Sequence, residues 1–231
     1  MIEQQNSTPL LNQFKNAVKT WGRPEHTSLR CYSFYNYYRK GRHDISELDK
    51  DVQQFVYQFK NNPWQKATTL YPEFNSDLPA NIVIELMTKR LNSSFGENVK
   101  SLTLACIPAS TEKRNQLRYE RFADTLCSNL HMDNAFPHIH FEQEGTPKHM
   151  SFYNGGYRNA SFSFDKEFFN GKSVILFDDI ITSGKSMERF SQSLSECGAS
   201  VICGISIART RHDYVFQPIR RYNGQKITIF V

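Results

Sequence analysis

The chain has 231 residues, of which 39% are hydrophobic, so it is long and apolar enough for one domain or a domain with an appendage. No apolar run approaches the ~18 residues of a membrane span, and no apolar N-terminal stretch follows a basic start, so neither a span nor a signal peptide is expected. A formal net charge of +5 suits anionic small substrates as well as nucleic acid and decides neither.

Residues 1–30 carry little apolar periodicity and include Pro9 and Pro24, which reads as a loose arm or a short helix. Residues 31–42 combine an aromatic, strand-like run with a basic turn. Leu48, Val52, Phe55, Val56 and Phe59 recur at helical spacing and predict an amphipathic helix over about 46–60. A second helix is expected over about 79–94, through Ile82, Leu86, Met87 and Leu91, with Ser76 or Asp77 near its start.

From residue 99 the pattern changes. A strand is expected over 99–107, then a helix over about 112–130 through Leu117, Ala123, Leu126 and Leu130. Residues 131–172 are irregular and rich in glycine and aromatics, with a short strand at 138–142. A strand at 173–178, a helix over about 185–197 stopped by Gly198, a strand at 201–208 and a last strand at 226–231 follow. The alternation of strands and helices predicts an α/β fold with a central, mostly parallel sheet flanked by helices.

The five cysteines (Cys31, Cys106, Cys127, Cys197 and Cys203) are odd in number and form no C-x-x-C pair. That spacing argues against a zinc ribbon and a disulfide framework, and suits a reducing, cytoplasmic setting. His138, His140, His149 and His212 show no repeated metal spacing and read as ordinary loop or strand residues.

The most informative stretch is Val174-Ile175-Leu176-Phe177-Asp178-Asp179-Ile180-Ile181-Thr182-Ser183-Gly184-Lys185-Ser186. An apolar strand buried on both faces ends in adjacent carboxylates, followed by a hydroxyl- and glycine-rich loop that opens a helix. Such a loop can turn several backbone N–H groups toward one phosphate, helped by the helix dipole. The aspartates then suit sugar hydroxyls or a metal's waters. It is not a Walker A loop, because Asp179 stands where that pattern needs a glycine.

The stretch resembles the phosphoribosyl-pyrophosphate (PRPP) signature of type I phosphoribosyltransferases: four apolar residues, two acidic, two apolar, then Thr-Thr/Ser-Gly-x-Thr/Ser. The resemblance covers about residues 99–213 and implies a type I phosphoribosyltransferase fold over 96–231. Residues 1–95 would form a mainly helical and aromatic appendage, a hood or a partner-binding region. It implies that Asp178 and Asp179 act at the ribose, and that Thr182, Ser183, Gly184, Lys185 and Ser186 cradle the 5′-phosphate. Pyrophosphate would be held by the loop with Ala109, Ser110 and Thr111, and by Arg158 from a mobile segment hinged at Gly155-Gly156. Arg209, after the strand at 201–208, would face the acceptor, although a basic surface loop fits it better. Magnesium would enter with PRPP, near the acidic pair and without a direct protein site.

Thr182 stands where hypoxanthine–guanine enzymes usually carry an aspartate, which moves the chain away from that group. It is similar to orotate phosphoribosyltransferases and to the ComF-like group. The latter likeness is loose: Tyr157-Arg158-Asn159 before Phe162 or Phe164, Ile207-Ala208-Arg209, and Ile107-Pro108-Ala109 before Arg118, Arg121 and Phe122. The zinc-binding cysteines common in that group are absent. The expected activity is transfer of a phosphoribosyl group from PRPP to a nitrogenous base or related acceptor, with release of pyrophosphate. The alternative is a non-catalytic protein of the same fold that binds PRPP, a nucleotide or nucleic acid, with the aromatic and basic residues of 32–42 as a stacking surface. A homodimer is compatible with either.

Overall fold

Val174, Ile175, Leu176 and Phe177 are all 0% exposed, which a strand achieves only when both faces of its sheet are covered. The computed structural model describes residues 29–38, 45–61, 63, 79–144, 160–211, 219–222 and 225–227. Strand β6 (Ser173–Ile181), which carries that run, is the middle of a five-stranded sheet. Across the sheet lie β1 (Cys31–Tyr37), β7 (Ser200–Thr210), β6, β2 (Leu102–Cys106) and β3 (Asp133–Asn134), and every neighbouring pair is parallel. The protein is therefore α/β, with a central parallel sheet and helices on both sides.

One face is covered by α1 (Glu47–Asn61), α2 (Pro79–Phe95) and a helical run of α3 (Glu112–Asn115), a π-turn (Gln116–Glu120) and α4 (Arg121–Leu130). Val52, Phe55, Val56 and Phe59 of α1 lie on one stripe and are all buried. They meet Phe122, Ile175, Phe177 and Ile205 in one apolar cluster. At its centre Phe59 sits edge-on to Phe122 and Phe177, with ring centroids 5.5 and 6.1 Å away, and Phe122 stacks on Phe177 at 4.8 Å. On the other face α6 (Lys185–Glu196) buries Met187, Phe190 and Leu194 against Val174, Leu176 and Ile181. Gly204 of β7 lets α6 sit close, since a Cβ there would lie 2.5 Å from Met187 Sδ.

Several elements differ from the sequence expectations. The aromatic run at 31–37 is a strand, as its pattern suggests, and forms the edge of the central sheet, paired with β7 from Cys31↔Gly204 to Tyr37↔Thr210, while the basic turn at 39–42 lies outside the described residues. Phe34 and Tyr35 are 5% and 7% exposed, so their rings belong to the core and cannot stack on nucleic acid bases. Since β1, α1 and α2 share one apolar cluster with β6 and β7, no gap in the core marks residues 95/96. The stretch 99–107 divides into a 3-10 turn (Gly96–Ser101) and the shorter β2. Leu48 is 37% exposed and lies off the buried stripe of α1. β4 (Ile139–Gln143) and β5 (Ser161–Phe164) pair antiparallel beside the sheet, followed by α5 (Lys166–Phe169). Of the last expected strand, residues 226 and 227 fall in β9 (Gln225–Ile227), which pairs antiparallel with β8 (Ile219–Tyr222) in a sheet separate from the parallel one, and residues 228–231 lie outside the described residues. Gly198 has φ +86° after α6, as a C-terminal glycine should.

Candidate functional site

A cleft of about 510 Å³ opens beyond the carboxyl ends of β1, β2, β6 and β7, the edge where open α/β sheets bind ligands. Asp178, Asp179 and residues 180–187 line it along one side, with Ile107, Pro108, Ala109 and Ser110 on another. Tyr37, Lys60, Arg114, Arg118 and Thr210 complete the wall. All five residues expected at a 5′-phosphate (Thr182, Ser183, Gly184, Lys185 and Ser186) are on this surface. The strand runs three residues beyond its expected end, so the loop is only Thr182, Ser183 and Gly184. Gly184 takes φ +75°, which redirects the chain into α6. The first-turn amides of α6 have no acceptor within the helix and are available to an anion. Thr182 Oγ1 lies 3.2 Å from Thr210 Oγ1, tying the loop to the end of β7.

The two aspartates have different surroundings. Asp179 shares a strand face with Ile175 and Phe177, and consecutive side chains of a strand point to opposite faces. It is 3% exposed, and both carboxylate oxygens are engaged: Oδ2 accepts Arg118 Nη1 at 2.6 Å, and Oδ1 accepts Lys60 Nζ at 3.2 Å. Arg118 is 7% exposed and also donates Nε–H to the Lys60 carbonyl at 3.0 Å, capping the end of α1. Asp178 is half-buried, and its Oδ1 accepts the Asp179 N–H at 2.7 Å. Burial, and then the neighbouring Asp179 charge, push its carboxyl up to about 7, against the pull of Lys60.

The remaining expected residues divide. Ala109 and Ser110 line the cleft, but the Ala109 N–H already donates to Asn115 Oδ1 at 3.1 Å. Thr111 is an N-cap, accepting Arg114 N–H at 3.4 Å, and does not line the cleft. Arg158 and the Gly155-Gly156 hinge lie outside the described residues, as do His149 and His212. Arg209 is still within β7 rather than in a loop after it, and Thr210, not Arg209, reaches the cleft wall. Lys60 and Arg118, which do reach it, carry no local sequence signal for such a role.

All five cysteines are buried and outside any disulfide, and burial pushes the Cys127 and Cys203 thiols up to about 12. They are not poised as nucleophiles. His138 lies over Phe168 and pairs with Asp165 at 3.0 Å, away from the cleft. Among the described residues no group of three or more His, Cys, Asp or Glu could hold a metal ion. Asp179 is taken by cations, and one oxygen of Asp178 by a backbone amide. This donor set fits a magnesium ion that arrives on substrate phosphates and keeps most of its ligands from them and from water. No helix among the described residues is long and apolar enough to cross a membrane.

No protein-family model matches the chain, and no curated protein matches it in sequence. Solved structures that resemble it in part include two phosphoribosyltransferases. A purine phosphoribosyltransferase from Pyrococcus horikoshii Ot3 is 12% identical, with a TM-score of 0.31 over 57% of this chain and 82% of that one. An adenine phosphoribosyl transferase from Trypanosoma brucei, in complex with AMP, pyrophosphate and ribose-5-phosphate, is 12% identical, with a TM-score of 0.35 over 96% of this chain and 90% of that one. What the cleft can do follows from its own residues.

Proposed function

We propose that the cleft binds PRPP and transfers its phosphoribosyl group to a nitrogenous acceptor, releasing pyrophosphate. The observation that carries this reading is the meeting of Asp178 with residues 182–186 in one cleft, a single hydroxyl-accepting carboxylate beside a loop that opens a helix. A ribose 5-phosphate has that pair of demands: a dianion at one end and neighbouring hydroxyls at the other.

In the reaction the bond from the anomeric carbon to the pyrophosphate oxygen breaks and a carbon–nitrogen bond forms. The acceptor nitrogen gives up its proton to solvent or to the departing pyrophosphate, which leaves with the bonding electrons. Loop amides and hydroxyls of residues 182–186 fix the 5′-phosphate, and Asp178 accepts hydrogen bonds from the ribose. Negative charge develops on the leaving group while positive charge develops on the sugar, so cations at Lys60, Arg114 and Arg118 beside the carboxylates suit both. Magnesium, when bound through the substrate's phosphates, adds charge neutralisation there. Ser110 and Ala109 are the proposed pyrophosphate side of the site. The ComF-like likeness stays a reading of short motifs, and the acceptor is left as a nitrogenous base. The alternative of a nucleic acid surface at 32–42 is weakened by the burial of Phe34 and Tyr35.

The test is a pyrophosphate-release screen with PRPP, magnesium and a panel of bases. Turnover with at least one base should fall about a hundredfold or more in Asp178→Asn, with folding verified by circular dichroism. PRPP binding without turnover of any base would leave a binding protein in place of an enzyme. Failure to bind PRPP would sink both.

A further inference from the structure

Lys60 lies in the last turn of α1, far in sequence from every motif that marks the cleft, yet it lines the cleft wall. Its side chain is 43% exposed, while that of its partner Asp179 is 4% exposed. An ion pair so placed has one member fixed in the protein and the other turned partly toward solvent. Among the described residues Asp179 Oδ1, at 3.2 Å, is the hydrogen-bond partner of Nζ. An ammonium group has three donors, and among the described residues only one of them is engaged.

The support behind Lys60 is rigid. Asp179 is held on its other oxygen by buried Arg118 at 2.6 Å, and Arg118 also grips the Lys60 carbonyl at 3.0 Å. Backbone and side chain of Lys60 are thus both tied to one guanidinium–carboxylate unit on the cleft floor. Two cations surround one buried carboxylate, Asp178 offsets the remaining positive charge when it is ionised, and the cation turned toward solvent is Lys60. The other cleft carboxylate, Asp178, feels the Lys60 charge through space but accepts no hydrogen bond from it among the described residues, so the ammonium donors not held by Asp179 can meet an entering anion.

We propose that Lys60 is a binding residue for a phosphate or pyrophosphate group in the cleft, and that Asp179 acts as the fixed anchor of Lys60 and Arg118 rather than as a ligand of the sugar. The assignment rests on the reading of the cleft as a PRPP site. It gives that site a cation supplied by the N-terminal part of the chain, and it leaves Asp178 as the carboxylate that faces substrate.

The test is calorimetric titration of the full chain with PRPP and, separately, with inorganic pyrophosphate, each with magnesium, using wild type, Lys60→Met and Lys60→Arg. Lys60→Met should raise the Kd for both probes about tenfold, as loss of one charge-assisted hydrogen bond implies. Lys60→Arg should recover most of it, and the melting temperature of Lys60→Met should stay close to wild type because Arg118 still pairs with Asp179. If wild type binds PRPP and Lys60→Met binds both probes equally well, the Lys60 assignment fails while the PRPP reading stands. If wild type binds pyrophosphate through Lys60 but not PRPP, the assignment stands and the PRPP reading fails. Binding of neither probe by wild type overturns both.

Discussion

Asp178 and Asp179 are adjacent in sequence, yet the pleat of β6 sends one toward two cations and leaves the other facing the cleft. The consequence is a pH-dependent stability carried by Asp178. Its carboxyl rises from an ordinary 3.8 to about 7, through burial first and the Asp179 charge second. Between those values the folded protein holds a proton that the unfolded chain has lost, so stability falls as pH rises through this window. Above it the ionised carboxylate is a standing penalty. Asp178→Asn keeps the acceptor for the Asp179 N–H and removes the charge. The variant should therefore be more stable than wild type at about pH 8, by on the order of 2 kcal/mol, with the gain vanishing toward about pH 4. Urea midpoints at the two pH values measure this, and a gain independent of pH would refute the assignment. The same substitution should abolish turnover, which would make the residue a cost to folding retained for function.

The π-turn between α3 and α4 shows what an element can hide from its own sequence. Read as a regular helix, 112–130 turns Leu117 inward; in the structure Leu117 is 51% exposed and Arg118 is 7% exposed. A π-turn takes in one extra residue, which rotates the face that follows. The apolar period breaks there because the buried partner is a charge, Asp179, that a local pattern cannot reveal. The strand–loop–helix at 173–196, by contrast, was legible because its chemistry is contiguous: apolar run, carboxylates, hydroxyls and glycine in order. Arg118→Met would leave Asp179 buried with Lys60 alone and remove the cap on α1. It should destabilise by about 3 kcal/mol. Arg118→Lys should recover only part, since an ammonium cannot reproduce a guanidinium spread between the Lys60 carbonyl and the Asp179 carboxylate. Urea unfolding at neutral pH decides it, and a loss below about 0.5 kcal/mol in Arg118→Met would mean the buried pair is energetically idle.

At the scale of the whole molecule, the described residues before 96 are tied to the sheet by contacts no local pattern announces. Cys31 pairs with Gly204 and Tyr37 with Thr210 across a parallel register, a pairing whose partners lie far apart in sequence. Phe55, Phe59, Leu86 and Met87 are each at most 1% exposed, against the same face of β6 and β7. Removing residues 1–95 would therefore strip β1 from the edge, leave the backbone of β7 unpaired along that side, and uncover the aromatic cluster around Phe177. It would also remove Lys60, one of the two cations on Asp179. The fragment 96–231, although it contains every residue of the recognisable signature, should fail to unfold as a cooperative unit. Urea titration followed by near-ultraviolet circular dichroism should give no sigmoidal transition, with aggregation or dye binding to exposed apolar surface in its place. A sharp transition with a slope appropriate to its length would refute this and make the first 95 residues a separable appendage. The expected failure follows from geometry: the strand bearing the acidic pair is the middle of the sheet, and one of the layers that buries it, together with one of the charges that balances it, comes from the other end of the chain.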